Sequence, residues 1–445
     1  MTQRDVPTSP KQPCEREDAL AVLKRLREAG HVAYFAGGCV RDELMGLQPK
    51  DFDVATDAPP RRVQELFTNT QAVGAAFGVI LVRHRRSVVE VATFRADVSY
   101  EDGRRPTAVR FTTAEEDARR RDFTINGLFL DPLENRVIDY VGGQEDIKSR
   151  VIRAIGEPSH RFDEDHLRLL RAVRFASRFD FEIEPNTAAA IERHAPKLAR
   201  ISPERIAEEL RMMLTAPSRN LAWRILWRFN LTQVVLRQMP ERPATPEPYE
   251  RHSGPVFPEL PTGKDVHFGL ALAAFVWCYR TSTREHDDLW YTTPVVSREA
   301  VRICRNLLRI SNDEADVMMD CLALSPYLDN DRPPTTAWIK RLMAKPSFVH
   351  VRSMVEAYRA AGRFVPRTGW LLNEFERLSD EPVAPEPLVS GDDLIARGLH
   401  PSPAFKRALD FVYDEQLEGR VTTREQALEL GERKVREFEA EKSAR

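Results

Sequence analysis

From Asp18 the run ALAVLKRLREAG spaces its apolar residues as one face of a helix and stops at Gly30. The texture then changes. HVAYFAGG, DFDVAT, VILVRHR, SVVEVATFR and AVRFTT are short, rich in Val and Phe, and separated by helical or turn segments, which predicts strands. FLDPLENRVIDYVGG predicts a hairpin around Pro132–Asn135. After Gly143 the pattern becomes helical. DEDHLRLLRAVRFASRF, EPNTAAAIERHAPKLA and SPERIAEELRMMLTA open on Asp, Asn or Ser/Pro starts, and helices continue to the C-terminus. Pro/Glu-rich breaks at 240–265 and 378–388 read as linkers or surface insertions.

This organisation predicts an α+β chain. A loose polar tail (1–16) precedes a mixed-sheet head (17–147), followed by an all-helical neck (148–215), body (216–387) and tail (388–445). A length of 445 residues suits several domains, and 42% hydrophobic residues suffice for real cores. No apolar run reaches the ~18–20 residues that span a bilayer, and MTQRDVPTSPKQPCERED lacks an apolar signal core. Five cysteines without a CxxC pair argue against a disulfide scaffold or a structural zinc site, so a reducing, cytoplasmic setting is expected. Net charge is −2, which neither announces nor excludes a nucleic-acid binder. Local arginine density carries more: Arg119–Arg121, and the stretch from Arg161 to Arg178.

AYFAGGCVRDELMGLQPKDFDVAT is the most informative segment. A strand runs into Gly37-Gly38, and a helix follows with Arg41 in its first turn. Glycines at such a junction let backbone approach a phosphate, and Arg41 adds a guanidinium on the same side. Lys50-Asp51-Phe52-Asp53 follows. On a strand, Asp51 and Asp53 share a face while Phe52 and Val54 enter the core. Two converging carboxylates call for a cation, and a hard divalent ion such as Mg²⁺, sharing its shell with a triphosphate, is the natural occupant. Either motif alone is common; the combination in strand–helix–strand order is not.

That combination resembles the signature of the class II nucleotidyltransferases of the polymerase-β superfamily, the tRNA CCA-adding enzymes and bacterial poly(A) polymerases. EVATFRADVSYEDGRRP, RRDFTINGLFLDP, RFDEDHLRLLRAVRFA and ISPERIAEEL resemble further blocks of that family, so the likeness runs over about residues 30–215. It implies a polymerase-β-like head and template-independent addition of CMP and AMP to a tRNA 3′ end from CTP and ATP, with pyrophosphate released. Asp51 and Asp53 are then the catalytic, metal-holding pair. Gly38 and Arg41 then cradle phosphates, Arg121 contacts nucleotide, and Asp122 and Asn126 read the ribose or support the metal site. Asn126 alternatively caps a turn. Glu90, or Asp122, is a candidate third carboxylate, and Glu90 alternatively partners an arginine.

On the helix predicted over DEDHLRLLRAVRFASR, Leu169, Ala172, Val173 and Ala176 fall on one side and Arg168, Arg171, Arg174 and Arg178 on the other, with Asp165 at the border. A solvated arginine face is the plain reading. An aspartate offers acceptors and an arginine donors, and together they can pair with a base edge. By resemblance Glu164-Asp165-His166-Leu167-Arg168 is the element that selects CTP and ATP, His166 being a tolerated departure, with Arg171 and Arg174 on the nucleotide.

The likeness fades between 216 and 390. VHFGLALAAFVWCYRT is similar to a helix of HD phosphohydrolase domains, but the His-Asp pair would fall where Phe275-Val276-Trp277-Cys278 stands, and His286-Asp287 matches by letters only. A degenerate, metal-free helical body is expected. Residues 388–428 resemble the tail module that contacts the tRNA elbow, or form a packing cap. Alternatives to full CCA addition are A-only or CC-only addition, poly(A) synthesis, or a silent RNA-binding protein. AVGAAFGVILV, where poly(A) polymerases of this group usually carry a GRRF-like element, and a C-terminus of mixed charge favour tRNA. The pattern does not fix the oligomeric state.

Overall fold

The computed structural model describes residues 15–74, 77–101, 105–239, 257–261, 266–281, 294–328 and 333–443. His286-Asp287 and most of residues 1–16 and 240–265 lie outside them. Two compact units emerge: Met1–Met213 with Leu221–Arg237, and Leu214–Asn220 with Gln238–Arg445.

In the first unit, helix α1 (Arg16–Glu28) precedes strand β1 (Ala33–Ala36), helix α2 (Gly38–Leu44), strand β2 (Val54–Thr56), helix α3 (Pro60–Leu66) and strands β3 (Thr70–Gly74), β4 (Val79–His84) and β5 (Ser87–Thr93). The antiparallel pair β6 (Arg95–Glu101) and β7 (Arg105–Phe111) leads to helix α4 (Ala114–Arg119), the expected hairpin of β8 (Leu128–Asp131) and β9 (Arg136–Asp139), and helix α5 (Gly143–Lys148). Seven strands form one mixed sheet in the order β3-β4-β5-β2-β1-β8-β9, with β2 and β5 parallel. Alternation along the strands sorts the two faces. Phe35, Val54, Val89 and Val91 pack with Ala19, Val22, Leu23 and Leu26 of α1. Ala36, Ala55, Phe94 and Phe129 pack with Ala114 and Ala118 of α4 on the other.

The neck comprises β10 (Val151–Ile152), α6 (Pro158–Glu164), α7 (Arg168–Phe179), β11 (Glu182–Ile183), α8 (Pro185–His194) and α9 (Pro203–Leu214), followed by α10 (Arg219–Arg228) and α11 (Leu231–Val235). Here the structure corrects the single helix expected over DEDHLRLLRAVRFASR. The chain leaves α6 at Asp165, which is extended (φ −151°, ψ 104°), and re-enters helix at Arg168. An Asp165 Oδ1 that accepts from the Leu167 amide (3.0 Å) competes with the helical ladder at that point. A bridge between Phe123 and Ala154 ties the neck to the head.

The second unit is helical: α12 (Phe268–Thr281), α13 (Pro294–Leu308), α14 (Asn312–Leu322), α15 (Ser325–Leu328), α16 (Thr336–Met343), α17 (Phe348–Ala360), α18 (Val365–Ser379), α19 (Gly391–Ala396), α20 (Pro403–Leu417) and α21 (Arg424–Ser443). Helix α12 is buried from Phe268 to Tyr279, Phe275, Val276, Trp277 and Cys278 included. It crosses α14 closely enough that a Cβ on Gly269 would lie 2.3 Å from the Glu314 carbonyl oxygen. The last three helices share their own core, centred on Leu394, Ala408, Val412 and Ala427.

Candidate active site

The sheet face opposite α1 and the start of α7 line one cleft of about 570 Å³. Strand ends bring Ala36, Val54, Ala55, Glu90 and Ala92 to it, and the β1–α2 turn brings Gly37, Gly38 and Arg41. The loop after α4 adds Arg120, Arg121, Asp122 and Asn126, and the neck adds Asp165, Arg168, Arg171, Arg174, Phe175 and Arg178. Asp53 lines the cleft, whereas Asp51 is exposed and outside its lining. Phe52 and Val54 are buried at 5% and 0% exposure, as alternation requires, although the strand proper begins only at Val54. The Ala36 amide donates to the Asp53 carbonyl (3.1 Å), which anchors Asp53 beside β1.

Gly37 carries the tight turn. Its φ is +73°, and a Cβ there would meet Arg121 Nη1 at 2.6 Å. The positive φ strains any L side chain, and a Cβ would also displace the Arg121 guanidinium, while Gly38 is the first residue of α2. Arg41, 4% exposed, donates to Asp42 Oδ1 through Nε (2.8 Å) and Nη2 (2.6 Å) and to Asn126 Oδ1 through Nη1. Burial pushes its guanidinium down from the ordinary value, and Asp42 opposes that. Asn126 Nδ2 donates to Asp122 Oδ1 (2.9 Å), which also accepts from the Phe123 amide (2.8 Å). Arg171 Nε donates to Asp122 Oδ2 (2.7 Å). Burial alone would raise the Asp122 carboxyl, but Arg171, Asn126 and that amide outweigh it and hold it well below the usual range. Asp122 is therefore spent on Arg171 and Asn126, and Glu90 is the acid that sits open to the cleft. In the parallel register Val54 opposes Val91, so Glu90 and Asp53 are one step back on neighbouring strands.

The arginine stripe of α7 is present and structured. Arg174 Nε donates to Glu209 (2.7 Å) on α9, and Arg178 pairs with Asp42 Oδ2 (3.3 Å). Phe175 and Phe179 stack at 6.1 Å between them, with Arg174 4.3 Å from the Phe175 centroid and Arg41 4.7 Å from that of Phe179. Arg168 is buried, Arg171 and Arg174 are half-buried and Arg178 is exposed, so guanidiniums held by carboxylates and rings form a cationic wall that is solvated only toward its Arg178 end. At the helix break, Asp165 Oδ2 accepts from Arg205 (2.7 Å), and Arg168 donates to the Arg161 carbonyl (2.9 Å) and to Glu164. His166 turns inward and its Nδ1 meets the Phe162 carbonyl oxygen at 2.6 Å, away from the cleft. The sequence pattern marks Arg120 only as part of the Arg119–Arg121 run and assigns no role to Asp42, Asp117, Arg205 or Glu209. Only Asp117 and Arg120 had a local signal, the i, i+3 spacing to Arg120 and i, i+4 to Arg121.

A glycine turn at a strand–helix junction, a carboxylate on the next strand and a cationic wall across the cleft define a nucleotide-binding head of the nucleotidyltransferase class. A family described as the poly A polymerase head domain matches residues 33–153, and one described as a probable RNA- and SrmB-binding site of polymerase A matches 180–242. The CCA-adding enzyme of Geobacillus stearothermophilus is 34% identical over 411 residues, 91% of this chain and 93% of that one. Poly(A) polymerase I of Salmonella typhimurium is 43% identical over 228 residues, 49% of each chain. The crystal structure of the Bacillus stearothermophilus CCA-adding enzyme in complex with CTP superposes with a TM-score of 0.71 at 29% identity, covering 95% of this chain and 98% of that one. The chain belongs to the CCA-adding enzyme family of nucleotidyltransferases. Members of this family use divalent metal ions.

Proposed function

We propose that this chain builds and repairs the 3′-CCA end of tRNA, adding CMP and AMP from CTP and ATP without a nucleic-acid template and releasing pyrophosphate. The observation that carries the reading is the single cleft that Asp53, the Gly37-Gly38 turn, Asp165 and Arg168 all line. Likeness to a CCA-adding enzyme over 91% of the chain supports it over poly(A) synthesis, for which the likeness stops at about half.

Asp51 and Asp53 are the residues that would hold the divalent ion. Two carboxylates suit a hard ion such as Mg²⁺. Substrate phosphates and water would complete such an ion's shell. Such an ion, when bound, offsets phosphate charge and favours the ionised form of the RNA 3′-hydroxyl. Gly38, Arg41 and Arg121 receive the triphosphate, and Arg171 and Arg174 extend that positive wall. Asn126, fixed by Arg41 and Asp122, faces the ribose.

Asp165 accepts from Arg205 and from an amide, and its carboxylate has lone pairs left over. It can accept a hydrogen bond from the exocyclic amino group of cytosine or adenine. Uracil and guanine present a carbonyl oxygen there, which a carboxylate repels. Arg168 supplies donors to the ring edge. No described helix is long and apolar enough to cross a membrane. A cytoplasmic location fits a tRNA substrate and both nucleotides.

The test is transfer of labelled CMP and AMP to tRNA stripped of its CCA, with the protein treated with chelator and then given Mg²⁺, Mn²⁺ or Ca²⁺. Transfer that vanishes with chelator and returns with Mg²⁺ supports the reading. Transfer that persists in excess chelator contradicts it.

A further inference from the structure

Three consecutive arginines follow Ala118, and the structure sends them to different places. Arg119 pairs with Glu115 (2.7 Å) and is 64% exposed. Arg120 and Arg121 turn inward to the cleft, and both are held by Asp117. Its two oxygens divide the work. Oδ1 accepts from Arg120 Nε (2.9 Å) and from the Arg95 amide (3.3 Å), while Oδ2 accepts from Arg121 Nε (3.2 Å) and Nη2 (3.0 Å).

Asp117 itself is 2% exposed, and α4 cannot drift because Ala114 and Ala118 are packed on the sheet. Burial alone would raise its carboxyl, but the two guanidiniums hold it below the usual range, so it stays charged. One buried carboxylate thus faces two cations and leaves a surplus positive charge directed at the cleft. Arg121 is locked further: Nη1 donates to the Asn126 carbonyl (3.1 Å), and its Cζ lies 5.1 Å from the Phe129 centroid. That guanidinium lies against the Gly37 turn, where phosphate is expected, while the base-reading pair lies at the α6–α7 break. Arg161 joins the two regions by donating to the carbonyls of Arg119 and Arg121 and pairing with Glu164, which holds Arg168.

We infer that Asp117 is the positioning residue of the polyphosphate subsite: it fixes Arg120 and Arg121 for the triphosphate and for pyrophosphate, and is indifferent to which base the nucleotide carries. The inference rests on the nucleotidyltransferase reading of the same cleft and adds two residues to it, Asp117 and Arg120.

The experiment compares Asp117→Asn with wild type in transfer to tRNA lacking its CCA, and measures inhibition by added pyrophosphate, a probe without a base. Charged hydrogen bonds to phosphate are the interactions at stake, so KM for CTP and for ATP should each rise about tenfold, and pyrophosphate inhibition should weaken by a similar factor. The relative use of CTP, ATP, UTP and GTP should not move, and kcat at saturating nucleotide should stay within about threefold. A role confined to stability would lower the melting temperature and the active fraction while leaving KM and pyrophosphate inhibition alone. That outcome overturns the inference, as does an altered base ratio at constant KM, which would route the effect through Arg161 to Arg168. Should Asp117→Asn fail to fold, Arg120→Gln reads the same subsite without emptying the buried carboxylate's second partner. It should show the same signature at smaller size, and unchanged KM and pyrophosphate inhibition in that variant overturn the inference too. A wild type unable to use CTP or ATP at all would instead sink the functional reading itself.

Discussion

Asp53 and Asp122 of the cleft, and Asp51 beside it, respond differently to loss because their surroundings differ. Asp51 is exposed and Asp53 half-buried, so removing either carboxylate empties no buried core position and is expected to leave the fold standing. Asp51→Ala or Asp53→Ala is expected to abolish transfer while circular dichroism and tRNA binding persist; transfer within tenfold of wild type would remove the metal assignment. Asp122 is the opposite case. It is the buried partner of Arg171, which is one-third exposed and also faces Glu209 at 3.8 Å, and Asp122→Ala is expected to cost about 1–3 kcal/mol, measurable by urea unfolding. Its folded carboxyl sits below the unfolded value, so its stabilisation is fully present above about pH 4 and is lost only as pH falls through the folded value. The stability gap between wild type and Asp122→Asn should therefore stay flat from pH 8 to about 5 and close in strong acid. A gap that closes near neutrality would show that the bridge is weaker than drawn.

At the scale of elements, the head was legible because its signals are local. Alternation in SVVEVATFR, the turn residues of the Pro132–Asn135 hairpin and the glycine pair each sit within a few residues of the structure they dictate. The neck was only half legible. The arginine stripe of α7 shows in its periodicity, but the break at Asp165 does not, since a side-chain hydrogen bond to the Leu167 amide interrupts the ladder without any Gly or Pro. What holds the stripe was hidden altogether. Glu209 lies 35 residues from Arg174, Arg205 lies 40 from Asp165, and Asp42 lies 136 from Arg178. The same break puts Asp165 and Arg168 at one turn facing the cleft, which yields a prediction of its own. Asp165→Ala or Arg168→Ala should cost about 1–3 kcal/mol of discrimination, read as incorporation ratios for the four nucleotides. Unchanged ratios would return both to a purely structural pairing with Arg205 and Glu164.

For the whole molecule, chemistry and substrate holding are expected to separate. Every proposed catalytic or nucleotide-binding residue precedes 180, and residues 388–445 contain a core of their own. Contacts to an RNA backbone are sequence-independent and weaken with salt. Truncation after Asp380 should therefore raise KM for full-length tRNA and leave kcat on a saturating minihelix nearly unchanged. The removed helices also cover α16, through pairs such as Arg341–Asp414 (2.6 Å), so sedimentation and circular dichroism accompany the assay. A folded truncation with wild-type tRNA affinity would make this segment a cap.

The most direct measurement offers the protein four tRNAs, ending before the CCA, after its first C, after both, and after the final A, with CTP and ATP given singly and together, and sequences the products. The account predicts two C residues and then one A, each tRNA completed from where it stops, and the finished end left alone. Addition of A alone to every substrate, or growth of a long A tail on the finished end, would contradict it.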